Sequence, residues 1–295
     1  MQINLHDITT ESVFSSFCRR APESNKGTYG KAVLICGSYG MAGAAVICAK
    51  ACVYSGVGIA NVICPKSVYP IIASQIPEAI FTPINEDITS DDLMTVIKAI
   101  KKASVVAIGC GMGQTNYTEK LLDCVITHST APIIIDADGI NCLCHNIDLL
   151  LQAKSSVILT PHPGEMARLA NCDIPYLLEH KLSIIEQFAG KYNCIITLKT
   201  HETAIMTSDA QAYINRTGNA GMACAGTGDM LCGMMASFIA QGLSVLQGAQ
   251  AAVHIHGLCG DLSAKKYSMA YTTPTTMMKT LPAVLVELEK FSNRE

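Results

Sequence analysis

Gly226-Thr227-Gly228-Asp229 stands at the head of an apolar run, Met230 to Ala240, within the stretch NRTGNAGMACAGTGDMLCGMMA at 215–236. The run predicts a buried helix with the glycines at its amino end. There the first backbone N–H groups lack helical partners and the macrodipole is positive, which suits the oxygens of a phosphate. Asp229 adds a lone carboxylate where that anion would arrive. The pairing predicts a base that takes the proton of a hydroxyl attacking a phosphoryl group. The same dipole predicts a lowered pKa for Asp229, which a loose transition state tolerates because proton transfer comes late.

Other clusters end in residues able to meet a ligand. GCGMG at 109–113 lets a ligand approach the backbone, because glycine has no Cβ, or else serves as a tight turn. Asp136 and Asp138 fit a cation or ribose, or a cap for the following segment, and for Asp136 the structural role is preferred. Thr160-Pro161-His162-Pro163-Gly164-Glu165 stiffens a histidine between two prolines, and contact of His162 with a polar ligand is expected. Lys199, followed by Thr200, His201, Glu202 and Thr203, reaches a nucleotide phosphate or is a solvated strand end. His254 and His256, two apart on a helix expected over Val245–Lys266, point to different faces and read as core or interface residues. Gly37, Gly40 and Gly43 miss the G-x-G-x-x-G spacing, and Cys64-Pro65 stands where a dinucleotide fold needs an acid.

The elements that must position these residues alternate. Strands are expected at Ala32–Ile35, Ile59–Ile63, Val105–Ile108, Ile133–Ile135, Val157–Leu159 and Cys194–Leu198, with a hairpin through Ala204–Met206 and Ala212–Ile214. Helices are expected at Ala44–Tyr54, at Val68–Gln75 and from a Ser90-Asp91-Asp92 cap to Lys102. Uninterrupted apolar strands between helices predict an α/β fold with a mainly parallel sheet covered on both faces. Ligands of such sheets bind beyond the carboxyl ends of the strands, where the Gly, Asp and His clusters fall. No linker or repeat divides residues 1–295, so one domain is expected.

Composition narrows the class. The chain of 295 residues is 49% hydrophobic and only 15% charged, which leaves room for oligomer contacts. A net charge of −3, with Lys101-Lys102 and Lys265-Lys266 as isolated pairs, argues against nucleic acid. Fourteen cysteines without a CxxC pair read as reduced, buried thiols rather than disulfides or a zinc centre, so no protein metal site is expected. The amino terminus has no signal pattern and no segment reaches transmembrane length, so a cytoplasmic protein without membrane contact is expected.

Together the motifs resemble the NAD(P)H-hydrate dehydratase family, of ribokinase-like three-layer α/β/α fold. The matching stretches are Lys26-Gly27-x-x-Gly30, GSYGMAGA at 37–44, GCGMG, DADGI, LTPHPGE, LKTHET, GNAGMACAGTGD and HGLCGD, from about residue 26 to about residue 264. LTPHPGE with GNAGMA-x-x-GTGD carries the specificity. The resemblance implies dehydration of the S epimer of hydrated NADH or NADPH, driven by ADP or ATP, with Mg²⁺ accompanying the nucleotide. It implies that Ala44, Gly111 or Gly113, His162 and Asp229 contact the hydrate. Lys199, Thr200, His201, Glu202, Thr203, Gly226, Thr227 and Gly228 would hold the adenine nucleotide. A homotetramer without the epimerase domain of larger homologues is expected. Two positions depart from the pattern: Asn25 replaces a histidine, and Thr200, in place of glycine, disfavours positive φ and is expected to reshape the nucleotide loop. The rival readings are a vitamin-precursor kinase of the same superfamily and a non-catalytic nucleotide sensor.

Overall fold

A computed structural model describes residues 3–292. The strands are β1 (Asn4–Asp7), β2 (Lys31–Ile35), β3 (Ile59–Pro65), β4 (Ile80–Ile84), β5 (Val105–Ile108), β6 (Ile133–Ile135), β7 (Val157–Leu159), β8 (Ile195–Leu198), β9 (Thr203–Met206) and β10 (Gln211–Asn215). All ten join one sheet in the order β1-β10-β9-β8-β7-β6-β5-β2-β3-β4. Pairing is parallel except at β9, which runs antiparallel to β8 and β10 and closes the expected hairpin. The α/β architecture with a mainly parallel sheet therefore stands.

Helices cover both faces. On one lie α1 (Thr10–Phe14), α2 (Ala42–Tyr54), α3 (Tyr69–Ala73), α10 (Thr227–Ala240), α11 (Val245–Lys266) and α12 (Pro274–Ser292). On the other lie α4 (Ser90–Ile100), α5 (Asn116–His128), α6 (Asp138–Leu143), α7 (Pro163–Ala170), α8 (Ile174–Glu179) and α9 (Lys181–Tyr192). Alternate residues of one strand feed the two cores: Val33 and Ile35 face α4 and α5, while Ala32 and Leu34 face α2 and α10. Helix α10 is apolar on nearly every side because it is wedged between the sheet, α2 and α11. At Gly233 an added Cβ would lie 2.0 Å from the Cys48 carbonyl oxygen, so this glycine sets the approach of α10 to α2.

Register places the site. Ile108 pairs with Ile135, Ile135 with Leu159, and Leu159 with Ile196. The residues that leave these strands, Gly109, Asp136 and Thr160, therefore emerge side by side at one edge, and Lys199 leaves the neighbouring β8.

Some expectations shift. The cap of α4 is Thr89, not Ser90: Thr89 Oγ1 accepts from Asp92 N at 3.2 Å and Asp92 Oδ2 accepts from Thr89 N at 3.0 Å. An N-cap must be extended, and Thr89 is (φ −93°, ψ 167°) while Ser90 already belongs to the helix. Strands β1 and β4 escaped the sequence pattern because both are edge strands, β1 exposed throughout and β4 interrupted by Pro83. All fourteen cysteines are free thiols. No described helix is long and apolar enough to cross a membrane.

Candidate active site

The α10 amino end forms as its sequence requires. Gly226 is the N-cap at φ +91°, and a Cβ there would lie 2.6 Å from Ile47 Cδ1, so both backbone freedom and space demand glycine. Thr227 Oγ1 donates to the Cys224 carbonyl at 2.9 Å, folding the preceding loop back on the helix. The first-turn amides that follow have no helical carbonyl to bond.

Asp229 lies in that turn, half-buried. Its pKa departs from the sequence expectation: it is raised to about 6, not lowered. Burial is the main cause and the charge of Asp136 adds to it, while Cys110 and Lys199 work in the opposite direction. Desolvation of a carboxylate among other carboxylates outweighs the helix dipole here. The result is a better base than the dipole alone would leave.

Lys199 is the cation of the site. Its Nζ donates to Asp136 Oδ1 at 2.7 Å and lies 3.9 Å from Glu165 Oε2. A Cβ added to Gly228 would stand 3.4 Å from this ammonium and 4.0 Å from Asp136 Oδ2, so Lys199 and Asp136 both face the glycine cradle. Burial alone would lower the lysine pKa, but Asp136 and Glu165 outweigh it and hold it above its ordinary value. Asp136 is buried and also accepts from Thr160 Oγ1 at 2.7 Å. Its carboxylate, Asp229 and the Cys110 sulfur each place a donor atom within 4.8 Å of the other two.

The residues expected to meet the substrate gather around the loop after β5. Gly109 adopts φ +127°, and a Cβ there would meet the Asp136 carbonyl oxygen at 1.8 Å. A Cβ on Gly111 would meet the Ala44 methyl at 2.6 Å, so these two candidate residues touch. Gly113 N donates to Asp138 Oδ2 at 2.7 Å, which fixes Asp138 as an anchor for this loop. Between the two acids, Ala137 is held at φ 47°, a strained backbone at the site's edge.

His162 is the N-cap of α7. Its Nδ1 accepts from Gly164 N at 3.0 Å, and Glu165 Oε2 accepts from His162 N at 2.8 Å. With Nδ1 used as acceptor, the neutral ring carries its proton on Nε2, which lies 3.4 Å from Glu165 Oε1. Burial, then the charges of Lys199 and Arg168, lower the imidazole pKa. The ring remains half exposed, with Nε2 beside Glu165. Burial raises Glu165 to about 7, with Lys199 opposing it.

The turn after Lys199 is organised internally. Thr200 Oγ1 donates to the Glu202 carbonyl at 2.6 Å, and Thr203 Oγ1 donates to the Thr200 carbonyl at 3.3 Å. Thr200 is absent from the few non-glycine residues with positive φ, so the loop is indeed built without the left-handed backbone a glycine would permit. Glu202 is paired with Arg216, which also reaches Asp7 at 3.2 Å. His201 is exposed. The turn thus begins at the charged cluster, but its threonine hydroxyls bond to carbonyls within the turn and Glu202 bonds to Arg216.

Glu165, Thr160, Cys110 and Asp261 were not assigned roles by sequence. Asp261 accepts from Gly218 N and Asn219 Nδ2, both at 2.9 Å, and so clamps the GNAG loop to α11. The HGLCGD stretch was its only signal. His254 and His256 are both buried, as expected. Asn25 Oδ1 accepts from Gly27 N at 2.8 Å, a local turn that does not need the family's histidine.

Comparison with known proteins agrees with this geometry. The family model described as NAD(P)H-hydrate dehydratase matches residues 32–283. An ADP-dependent (S)-NAD(P)H-hydrate dehydratase of Bacillus subtilis is 30% identical over 95% of this chain and 98% of its own length. A bifunctional NAD(P)H-hydrate repair enzyme of Thermofilum pendens is 31% identical, and the chain spans about half (52%) of its length. A crystal structure of the Bacillus subtilis ADP/ATP-dependent NAD(P)H-hydrate dehydratase, co-crystallised with ATP and Mg²⁺, superposes with a TM-score of 0.85 at 29% identity, covering 98% of this chain and all of that one. An Enterococcus faecalis ribokinase-like superfamily protein gives 0.83 at 26% identity, covering 98% and 96%. The chain belongs to the NAD(P)H-hydrate dehydratase family.

Proposed function

We propose that this chain dehydrates the S epimer of hydrated NADH and NADPH at the expense of ADP or ATP, acting as a hydro-lyase in cofactor repair. Hydroxide leaves poorly at neutral pH, so the ring hydroxyl must first become a better leaving group. Asp229 takes the hydroxyl proton while that oxygen bonds to the terminal phosphorus of the nucleotide, and the bond from phosphorus to the bridging oxygen breaks, releasing AMP when ADP is used. The adjacent ring nitrogen then pushes its lone pair toward the carbon, which expels inorganic phosphate. The iminium so formed loses a proton from the neighbouring ring carbon to water, restoring the ring double bond of the dihydronicotinamide.

The observation that carries this reading is Asp229 itself, a carboxylate raised to about 6 in the first turn of α10, beside the helix's amino-terminal amides and the Lys199 ammonium. It is ionised at neutral pH yet more basic than a solvated aspartate. The amides of 226–229 supply pre-oriented dipoles for the migrating phosphoryl group. We assign Ala44, Gly111, Gly113 and His162 to the hydrate, and Lys199 to Thr203 with Gly226 to Gly228 to the nucleotide.

Mg²⁺ fits the donor set: Asp136, Glu165 and Asp229 outnumber the single ammonium of Lys199, and this ion needs only one or two carboxylates besides phosphate oxygens and water. Asp136 and Glu165 would hold it, and it would offset the phosphate charge. A homotetramer in the cytoplasm completes the proposal, supported by exposed apolar side chains such as Leu151, Tyr176 and Leu178.

The test is incubation with hydrated NADH and each nucleotide, following the absorbance of restored dihydronicotinamide together with phosphate release. A stable phosphorylated alcohol would instead indicate a kinase, and no nucleotide turnover with hydrate present would indicate a sensor.

A further inference from the structure

Three thiols from separate elements converge directly behind the transfer site. Cys48 comes from α2, Cys110 from the loop after β5 and Cys232 from α10, and their sulfur atoms all lie within 4.8 Å of one another. All three are buried. A thiolate shell around zinc has metal–sulfur bonds of about 2.3 Å, which sets sulfurs about 3.8 Å apart in a tetrahedral arrangement. The trio needs only small side-chain movements to reach that spacing. Thiolates also select soft and borderline ions over Mg²⁺, so the two ion types would not compete for one place.

The trio is continuous with the acids. Cys110 belongs both to it and to the group it forms with Asp136 and Asp229, and its Sγ lies 3.6 Å from Asp136 Oδ2. Cys232 sits one turn along α10 from Asp229. Asp229, which shares that group with Cys110, is only half-buried. An ion enters past the carboxylates, and each thiol that ligates gives its proton to solvent, with no electron transferred.

We propose that Cys48, Cys110 and Cys232 form a binding site for one thiophilic divalent ion of the zinc and cadmium class, and that its occupation silences Asp229. Three thiolates leave one position of a tetrahedral ion open, and Asp229, whose carboxylate lies within 4.8 Å of the Cys110 sulfur, takes it; bound there, it can no longer accept the hydroxyl proton. The repair activity is thereby sensitive to free thiophilic metal.

The test uses the full, reduced chain with Cd²⁺ as probe. Equilibrium dialysis counts bound cadmium, and the near-ultraviolet cadmium–thiolate absorption reports its ligands. The wild type should bind one equivalent more than Cys48→Ala, since exposed thiols such as Cys18 bind equally in both. Filling that equivalent should lower turnover roughly tenfold or more, within what a positioned base contributes. Cys48→Ala should turn over normally without cadmium and resist it. Cys232→Ala provides a second variant for the metal count if Cys48→Ala folds poorly. Equal stoichiometry in wild type and variants, or full turnover with the extra ion bound, overturns the proposal. The metal count stands whether or not the proposed dehydration is the reaction.

Discussion

Lys199 Nζ lies 2.7 Å from Asp136 Oδ1, and this contact joins the end of β8 to the end of β6 at the point where both face Gly228. The lysine neutralises one acid, Asp136, and partly compensates a second, Glu165. What remains is a site with more carboxylates than cations, which adds to burial in making Asp229 hard to ionise. Lys199→Met should therefore destabilise the fold by about 3 kcal/mol, the cost of leaving a buried carboxylate without its partner. Adding Asp136→Asn to that variant should recover part of the loss. Urea unfolding of the two variants decides it, and a double variant no more stable than Lys199→Met would remove the ion pair as the cause.

Asp229→Asn should fold normally and bind nucleotide like the wild type, yet turn over the hydrate at least about 10²-fold more slowly. Calorimetric titration and the dihydronicotinamide assay measure the two halves of this statement. Turnover close to normal would take Asp229 out of the transfer step.

The pH dependence follows from the same residue. A base with a pKa of about 6 is charged above that value and protonated below it, so turnover should fall as pH drops through 6. Asp136 is the second cause of the raised value, after burial. Removing its charge in Asp136→Asn should therefore move the inflection to lower pH. An inflection that stays in place would remove Asp136 as a cause.

His162 has two duties that substitutions can separate. Its Nδ1 caps α7 and its ring is half exposed, so His162→Ala should lose about 1 kcal/mol of stability as well as affinity for the hydrate. His162→Asn should keep the cap and still bind hydrate less well, with ADP binding nearly unchanged. Equal losses for hydrate and ADP in titrations would contradict the assignment of His162 to the hydrate.

Much of this arrangement is legible in the chain. Val105–Ile108, Ile133–Ile135 and Val157–Leu159 read correctly because strands buried on both faces are unbroken apolar runs, and the motifs that follow them mark the ligand edge. The charge state of Asp229 was not legible. It depends on burial and on Asp136, which the chain supplies from far away. The Lys199–Asp136 pair spans 63 residues, and neither residue carries a local mark of the other. The thiol trio is equally silent, since each cysteine reads locally as a small apolar residue.

His256 offers a stability test independent of catalysis. It is buried on α11, its Nε2 has no hydrogen-bond partner, and its pKa is lowered to about 4. Burial is the main cause; the Thr227 backbone opposes it and the charge of Lys199 adds to it. Between pH 6.5 and 4 the unfolded chain binds a proton at this histidine that the folded chain refuses. Its contribution is therefore complete above the unfolded value and is lost as pH falls, reaching about 3 kcal/mol by pH 4. The raised carboxylates Asp229 and Glu165 act with the opposite sign, because the fold binds their protons more tightly than the unfolded chain does. The informative quantity is thus the difference between wild type and His256→Gln. Urea unfolding at pH 7.5 and at pH 5 should show the wild type losing more stability than the variant, and parallel losses would mean that the buried histidine accepts a proton without cost.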